Sequence, residues 1–160
     1  MRTNDEMREI VVDALWDGAV ATATTTAVAA VCGGVEENRA IAPINAVSHI
    51  IWGNKATRRS APSLKYTVPG LLLNGAAVTS WALLKGVMFG PQQRTKSAAR
   101  ALAEGATISG IAYVTDYYLV PERLTPGFEH RLSKKSLAGI YGALALSLGL
   151  ASWLRRRGAG

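Results

Sequence analysis

Charged side chains fall in clusters along this chain, and between the clusters lie four long stretches with almost none. Gly18 to Val35 is eighteen residues without a charge, made mainly of Ala, Val and Thr. Tyr66 to Leu84 is nineteen uncharged residues, after which Lys85 and "GVMFG" carry the segment towards its exit. Ala101 to Val120 holds Glu104 near its start and Asp116 near its end. Ser136 to Leu154 is again nineteen uncharged residues and stops at Arg155, Arg156 and Arg157. A helix needs about 20 apolar residues to cross about 30 Å of hydrocarbon, at about 1.5 Å per residue. The pattern therefore predicts an all-α fold: an integral membrane four-helix bundle, one transmembrane domain over 1–160, with helices at about 14–34, 67–89, 99–120 and 135–155. A soluble bundle needs a polar face on every helix, and "SLAGIYGALALSLGLASWL" has no charge on any face.

Composition changes this picture little. Charged residues are 18% of the chain, against about 25% in soluble domains, and apolar residues are 49%. The opening "MRTNDEMREIVVDALWD" carries five acids before any apolar run. A cleaved signal would be basic there, so an amphipathic lead-in to the first helix is expected. The net charge of +7 would suggest nucleic acid in a soluble protein. Here the bases sit at helix ends, facing anionic headgroups, so the lipid bilayer is the expected partner and nucleic acid is not. With four crossings the 18 bases divide evenly, Lys85 counted with those on the side of the termini. The triple arginine abutting the fourth helix favours both termini in the cytoplasm.

Between the first two helices, "APINAVSHIIWGN" is too short to cross: Pro43 to Trp52 spans roughly 15 Å as a helix. Pro43 suits a first turn and Gly53 with Asn54 a stop, so a short interfacial or re-entrant helix is expected at about 43–53. Asn45, Ser48, His49 and Trp52 fall at i, i+3, i+4 and i+7, a polar face expected to turn towards the bundle. Ile44, Val47 and Ile51 form the other side, expected to face lipid or a partner. His49 is expected to brace loop carbonyls, with proton handling as the alternative.

Small residues recur on the last two long helices: Ala98, Ala101, Gly105, Ser109 and Ala112 on the third, and Ala138, Gly142, Ala145, Gly149 and Ser152 on the fourth. In lipid such stripes let helix backbones approach closely. They predict that Leu at Gly142 or Gly149 damages folding more than Ala at Leu146 or Leu148. Asp116 continues the third-helix stripe and is expected to face protein. After it, Pro121 ends the helix, and Tyr113, Tyr117 and Tyr118 sit where amphipathic rings favour the headgroup level.

The chemistry-bearing residues are few. Spacing yields no Cys or His pair for a metal, no phosphate-binding glycine loop and no nucleophile triad; no cofactor and no metal are expected, and the protein is read as no enzyme. Cys32 is the single cysteine and so has no internal disulfide partner. His49 and His130 are the only imidazoles, so bis-histidine haem ligation would need both; it is not expected, because His130 lies in the charged loop "TPGFEHRLSKK". The candidate polar cluster is Asn45, Ser48, His49, Trp52, Glu104 and Asp116.

Two stretches, "APINAVSHIIWGNKA" and "YVTDYYLVPERLTPGFEHRLS", resemble segments of small uncharacterised bacterial inner-membrane proteins of the YagU-like family. The resemblance implies a multi-pass location in the cell inner membrane and transfers no catalytic residue. Two function classes follow. The first is a non-enzymatic structural or accessory membrane protein, a partner within a larger membrane complex or a modifier of the bilayer, with a homo-oligomer expected instead where the chain builds a pathway. The alternative is a small transporter or channel, in which His49, Glu104 and Asp116 form a proton or ion path, since intramembrane ionisable residues are functional by default.

Overall fold

Thr3 begins the fold: its hydroxyl accepts the Glu6 N–H at 3.2 Å and caps a 34-residue helix, α1, Asn4–Glu37. The computed structural model describes residues 3–91 and 97–158, with the backbone alone at 152 and 155–158. Ser152 of the small stripe, and the charges of Arg2, Arg94, Lys96, Arg155, Arg156 and Arg157 that enter the orientation count, lie outside the described residues. Among those described the fold is all-helical, with no strand.

The expected lead-in and first crossing are one continuous helix. It ends at Asn38, whose left-handed backbone (φ 56°) lets its N–H donate to Gly33 O, as a C-terminal cap does. Three short helices follow, α2 (Ala42–Val47), α3 (His49–Trp52) and α4 (Asn54–Thr57). Then come α5 (Thr67–Phe89) and α6 (Ala98–Val114), the latter capped by Ser97, whose hydroxyl accepts the Arg100 N–H at 3.2 Å. A π turn over Thr115–Leu119 extends α6, and α7 runs over Lys134–Gly158. α1 packs on α5 and α7, and α6 packs mainly on α7. Two of the long helices, α1 and α5, are long and apolar enough to cross a membrane.

Glycine sets how closely these helices meet. A Cβ on Gly105 would lie 2.2 Å from Ala145 O, and one on Gly149 would lie 2.8 Å from Ala101 O, so α6 and α7 touch backbone to backbone. Gly142 does not belong to this contact. It is exposed, with nothing within 4 Å of an added Cβ, because the small-residue stripe of α7 meets α6 only in its later part, at Ala145 and Gly149. Leu148 is wholly buried while Leu146 is exposed. The expected ranking of glycine and leucine variants therefore holds neither for Gly142 nor for Leu148. The centre of the bundle is filled by Ala14, Ala21, Val78, Ala82, Ile108, Ala112, Leu144 and Leu148. Cys32 is half-buried beside a second cluster that includes Ala29, Val47 and Phe128.

The start of α7 is capped from another helix. Glu36 of α1 accepts the Ser133 N–H at 2.8 Å, the Ser133 hydroxyl at 2.6 Å and the Ser136 hydroxyl, which sets a negative charge at a helix N-terminus. These serine hydrogen bonds, foremost that of the Ser133 side chain, hold the Glu36 carboxyl below its usual value of 4.5. A lowered carboxyl contributes stability that is present above the unfolded value and lost as pH falls through the folded one. Melting temperatures of the detergent-purified protein are accordingly expected to drop on acidification below pH 4.5, and to drop less in Glu36→Gln. Equal acid sensitivity in both proteins would refute this cap.

Candidate functional site

The six residues expected to cluster lie in three places. Asn45, Ser48 and His49 are buried in the short helical segment at one end of the bundle. This segment is no single amphipathic helix: it breaks at Ser48 and at Gly53, whose φ is 62°. Nor does it have one face for lipid. All of α2 is buried, Ile44 and Val47 included, because it is wedged between α1 and α5 at two glycines. A Cβ on Gly33 would meet the Pro43 ring at 2.6 Å, and one on Gly70 would meet Ile44 O at 2.1 Å. The break at Ser48 turns Trp52 outward, away from the polar face expected for it. Its ring stacks edge-on against Tyr66 at 6.5 Å and lies under the Lys65 ammonium at 4.9 Å.

Each polar group of the wedge holds backbone. Asn45 donates to Arg59 O at 3.1 Å and Ala61 O at 2.9 Å, and accepts from the Thr67 hydroxyl at 2.6 Å. The Ser48 hydroxyl donates to Asn45 O at 2.7 Å. His49 joins α2 to the loop after α6, with Nδ1 3.0 Å from Ala46 O and Nε2 3.3 Å from Glu122 O. A carbonyl oxygen only accepts, so a neutral ring satisfies one of these contacts and the imidazolium both. Gly127, at φ 87°, closes the second loop over this point, where a Cβ would lie 2.6 Å from Ala46 O and 2.8 Å from His49 Nδ1.

The two histidines meet, which spacing along the chain does not show: their rings stand 5.1 Å apart, edge to face. The loop carrying His130 folds back because several of its side chains are tethered. Arg131 pairs with Glu37 at 2.6 Å and donates to the Ser60 hydroxyl at 3.0 Å and Thr57 O at 3.3 Å. Glu129 accepts from the Thr125 hydroxyl, and from Tyr117 at 3.4 Å. The result is a cap of two interlocked loops over one end of the bundle.

Asp116 sits on the π turn of α6 and accepts the Tyr141 hydroxyl of α7 at 2.6 Å. Tyr113, Tyr117 and Tyr141 stack around it, with centroids 5.2 Å to 5.9 Å apart. Beside them lies a cavity of about 80 Å³.

Glu104 is at the opposite end. It is 5% exposed and bonded to Arg100 at 2.9 Å, so it is held inside the bundle and does not snorkel outward as a helix-end acid could. It shares a small cavity of about 10 Å³ with Asp13, Asp17 and Lys85. Lys85 is the principal correction to the charge count: it is 5% exposed and does not face headgroups. Its ammonium donates to Asp17 Oδ2 at 3.2 Å and to Leu148 O at 2.5 Å, joining α5 to α1 and α7. Sequence reasoning missed Asp17, Lys85 and Tyr141. The signal for the first two was present: each is the first charge met on leaving an uncharged run, where an ionised group drawn among apolar side chains seeks a partner.

No family model, no curated protein and no solved structure matches this chain. The YagU-like likeness thus rests on the two quoted strings. What the arrangement can do chemically is to brace: the side chains of the wedge and the Lys85 ammonium bond to backbone carbonyls or to one another.

Proposed function

We propose that the protein is a multi-pass helical protein of the bacterial inner membrane, crossing four times, with a structural or accessory role. The single observation that carries this reading is the inverted distribution of polarity. Asp17 at 2% and Lys85 at 5% exposure lie inside, whereas Leu72 at 68% and Val31 at 65% lie outside. Only 28% of the apolar span of α1 and 22% of that of α5 are buried in the bundle. A core helix of a soluble protein is mostly buried, and large exposed apolar patches mark a membrane or partner surface. The interlocked cap supports an accessory role, since its polar groups bond to backbone within the fold.

Two measurements test this. The protein is expected to stay with membranes through high-salt and alkaline carbonate washing; release of folded protein into carbonate would overturn the membrane assignment. Purification in mild detergent with mass spectrometry is expected to yield a stoichiometric partner, and a homo-oligomer alone would count against the accessory role.

Transport of protons or ions is the second reading, and the buried Asp17–Lys85 pair with Glu104 favours it. Against a continuous path stand Ile108 and Ala112, both wholly buried, which separate Glu104 from Asp116 by roughly 18 Å along α6. Proteoliposomes are expected to dissipate a pH gradient no faster than empty vesicles; a faster rate would put transport first.

A further inference from the structure

The interlocked cap has one surface whose chemistry bracing does not absorb. Arg39, just beyond the C-terminal end of α1, Arg58 and Arg59, which follow α4, and Arg131, from the second loop, line a single cleft of about 660 Å³ with Ser63 and Tyr66. None of its lining residues is an acid. Glu37 answers Arg131, while the Nε of Arg131 is buried without a hydrogen-bond partner among the described residues. The Arg59 guanidinium lies over the Tyr66 ring at 5.5 Å from its centroid.

The cleft is built rather than a chance meeting of long side chains. Its wall, the turn over 58–63, is fixed from within the bundle. Asn45, fully buried, donates to Arg59 O and Ala61 O, and the Thr67 hydroxyl that donates to Asn45 accepts the Ser63 N–H at 2.9 Å. The arginine backbones thus reach their positions already ordered, and a planar guanidinium presents paired donors that match the oxygens of a phosphate.

The neighbours of the cleft indicate where its ligand comes from. Leu64 is 87% exposed, the most exposed large apolar side chain among the described residues, and it directly follows that turn. Ile51 and Trp52 are exposed nearby in the chain, with the Trp52 ring against Tyr66 and the Lys65 ammonium over it. Apolar side chains set beside basic ones, with a tryptophan between, are the pattern of a surface lying at the headgroup level of a bilayer.

Resting on the membrane reading given under the proposed function, we propose that this arginine cleft binds a phosphate-bearing anion, supplied as the headgroup of an anionic phospholipid. Leu64 and Trp52 enter the acyl boundary beside it, and the guanidiniums of Arg39, Arg58 and Arg59 take the phosphate oxygens.

The test uses the full-length protein in a neutral detergent, with native mass spectrometry to count phosphatidylglycerol or phosphatidylcholine retained. Wild type is expected to retain phosphatidylglycerol in preference. Arg58→Gln with Arg59→Gln is expected to weaken that retention about 25-fold, at about fivefold for each basic residue near an anionic surface. Lys134→Gln with Lys135→Gln removes the same charge from exposed positions outside the cleft and is expected to leave the preference in place. Circular dichroism confirms that both pairs keep their helices. Equal loss in the two pairs, or equal retention of the two lipids by wild type, would overturn the cleft. Displacement of phosphatidylglycerol by millimolar glycerol 3-phosphate would overturn the lipid as the source of the anion. Release of folded wild type into alkaline carbonate would overturn the membrane reading, whereas a membrane-retained protein without the lipid preference overturns the cleft alone.

Discussion

Lys85→Met is expected to destabilise the bundle by about 3–5 kcal/mol, the cost of leaving one charge of a buried pair without its partner. The ammonium reaches Asp17 on α1 and Leu148 O on α7, so its loss takes the countercharge from a carboxylate that is 2% exposed and a donor from a carbonyl. Asp17→Asn is expected to cost a similar amount, because the ammonium is then the group left buried. The double variant should recover part of the loss, since with both charges removed neither ion is left buried without its countercharge. Thermal unfolding in detergent, followed by circular dichroism, reads all four corners of this cycle. If the double variant lost the sum of the single losses, the two residues would be acting separately.

A methyl group at Gly105 is expected to be the most damaging single carbon that can be added between α6 and α7. It would lie 2.2 Å from Ala145 O and beside the Gly149 backbone, and backbone cannot rotate out of the way as a side chain can. Overpacking typically costs about 1–3 kcal/mol and sometimes more, and Gly105→Ala should lie at or above the top of that range. Gly142→Ala is the matched comparison. Nothing lies within 4 Å of its added Cβ, and alanine is the better helix former by up to about 1 kcal/mol. It should leave stability unchanged or raise it. Comparable losses at both positions would show that the approach of α6 and α7 is not what these glycines serve.

The helices are legible in the chain alone. An uncharged run of eighteen or nineteen residues can be little else than a long helix, Pro121 stops one whatever surrounds it, and Pro43 starts another. These are local effects, decided by the backbone of the residue and its near neighbours. The sequence also determined that α6 and α7 carry small residues enough to meet closely. Which part of the α7 stripe meets α6 was decided by the tertiary structure, because a helix without a polar face has no periodicity to mark its inner side. Gly142 and Gly149 read alike and end up in open space and in backbone contact.

The polar residues divide in the same way. Asn45, Ser48 and His49 stayed together because two adjoining turns held them, while Trp52 left because the i, i+7 relation presumes a continuous helix and this one breaks at Ser48. Glu104 and Asp116 were placed with them on chemical type alone, and the length of α6 set them apart. Lys85 found its acid 68 residues away, His49 found His130, and the arginines from three separate segments came to line one cleft. Contacts of that kind depend on how the chain returns on itself. Spacing along the sequence carries no record of them, because the helix packing that brings the partners together is set by the shapes of whole faces and not by any residue near either partner.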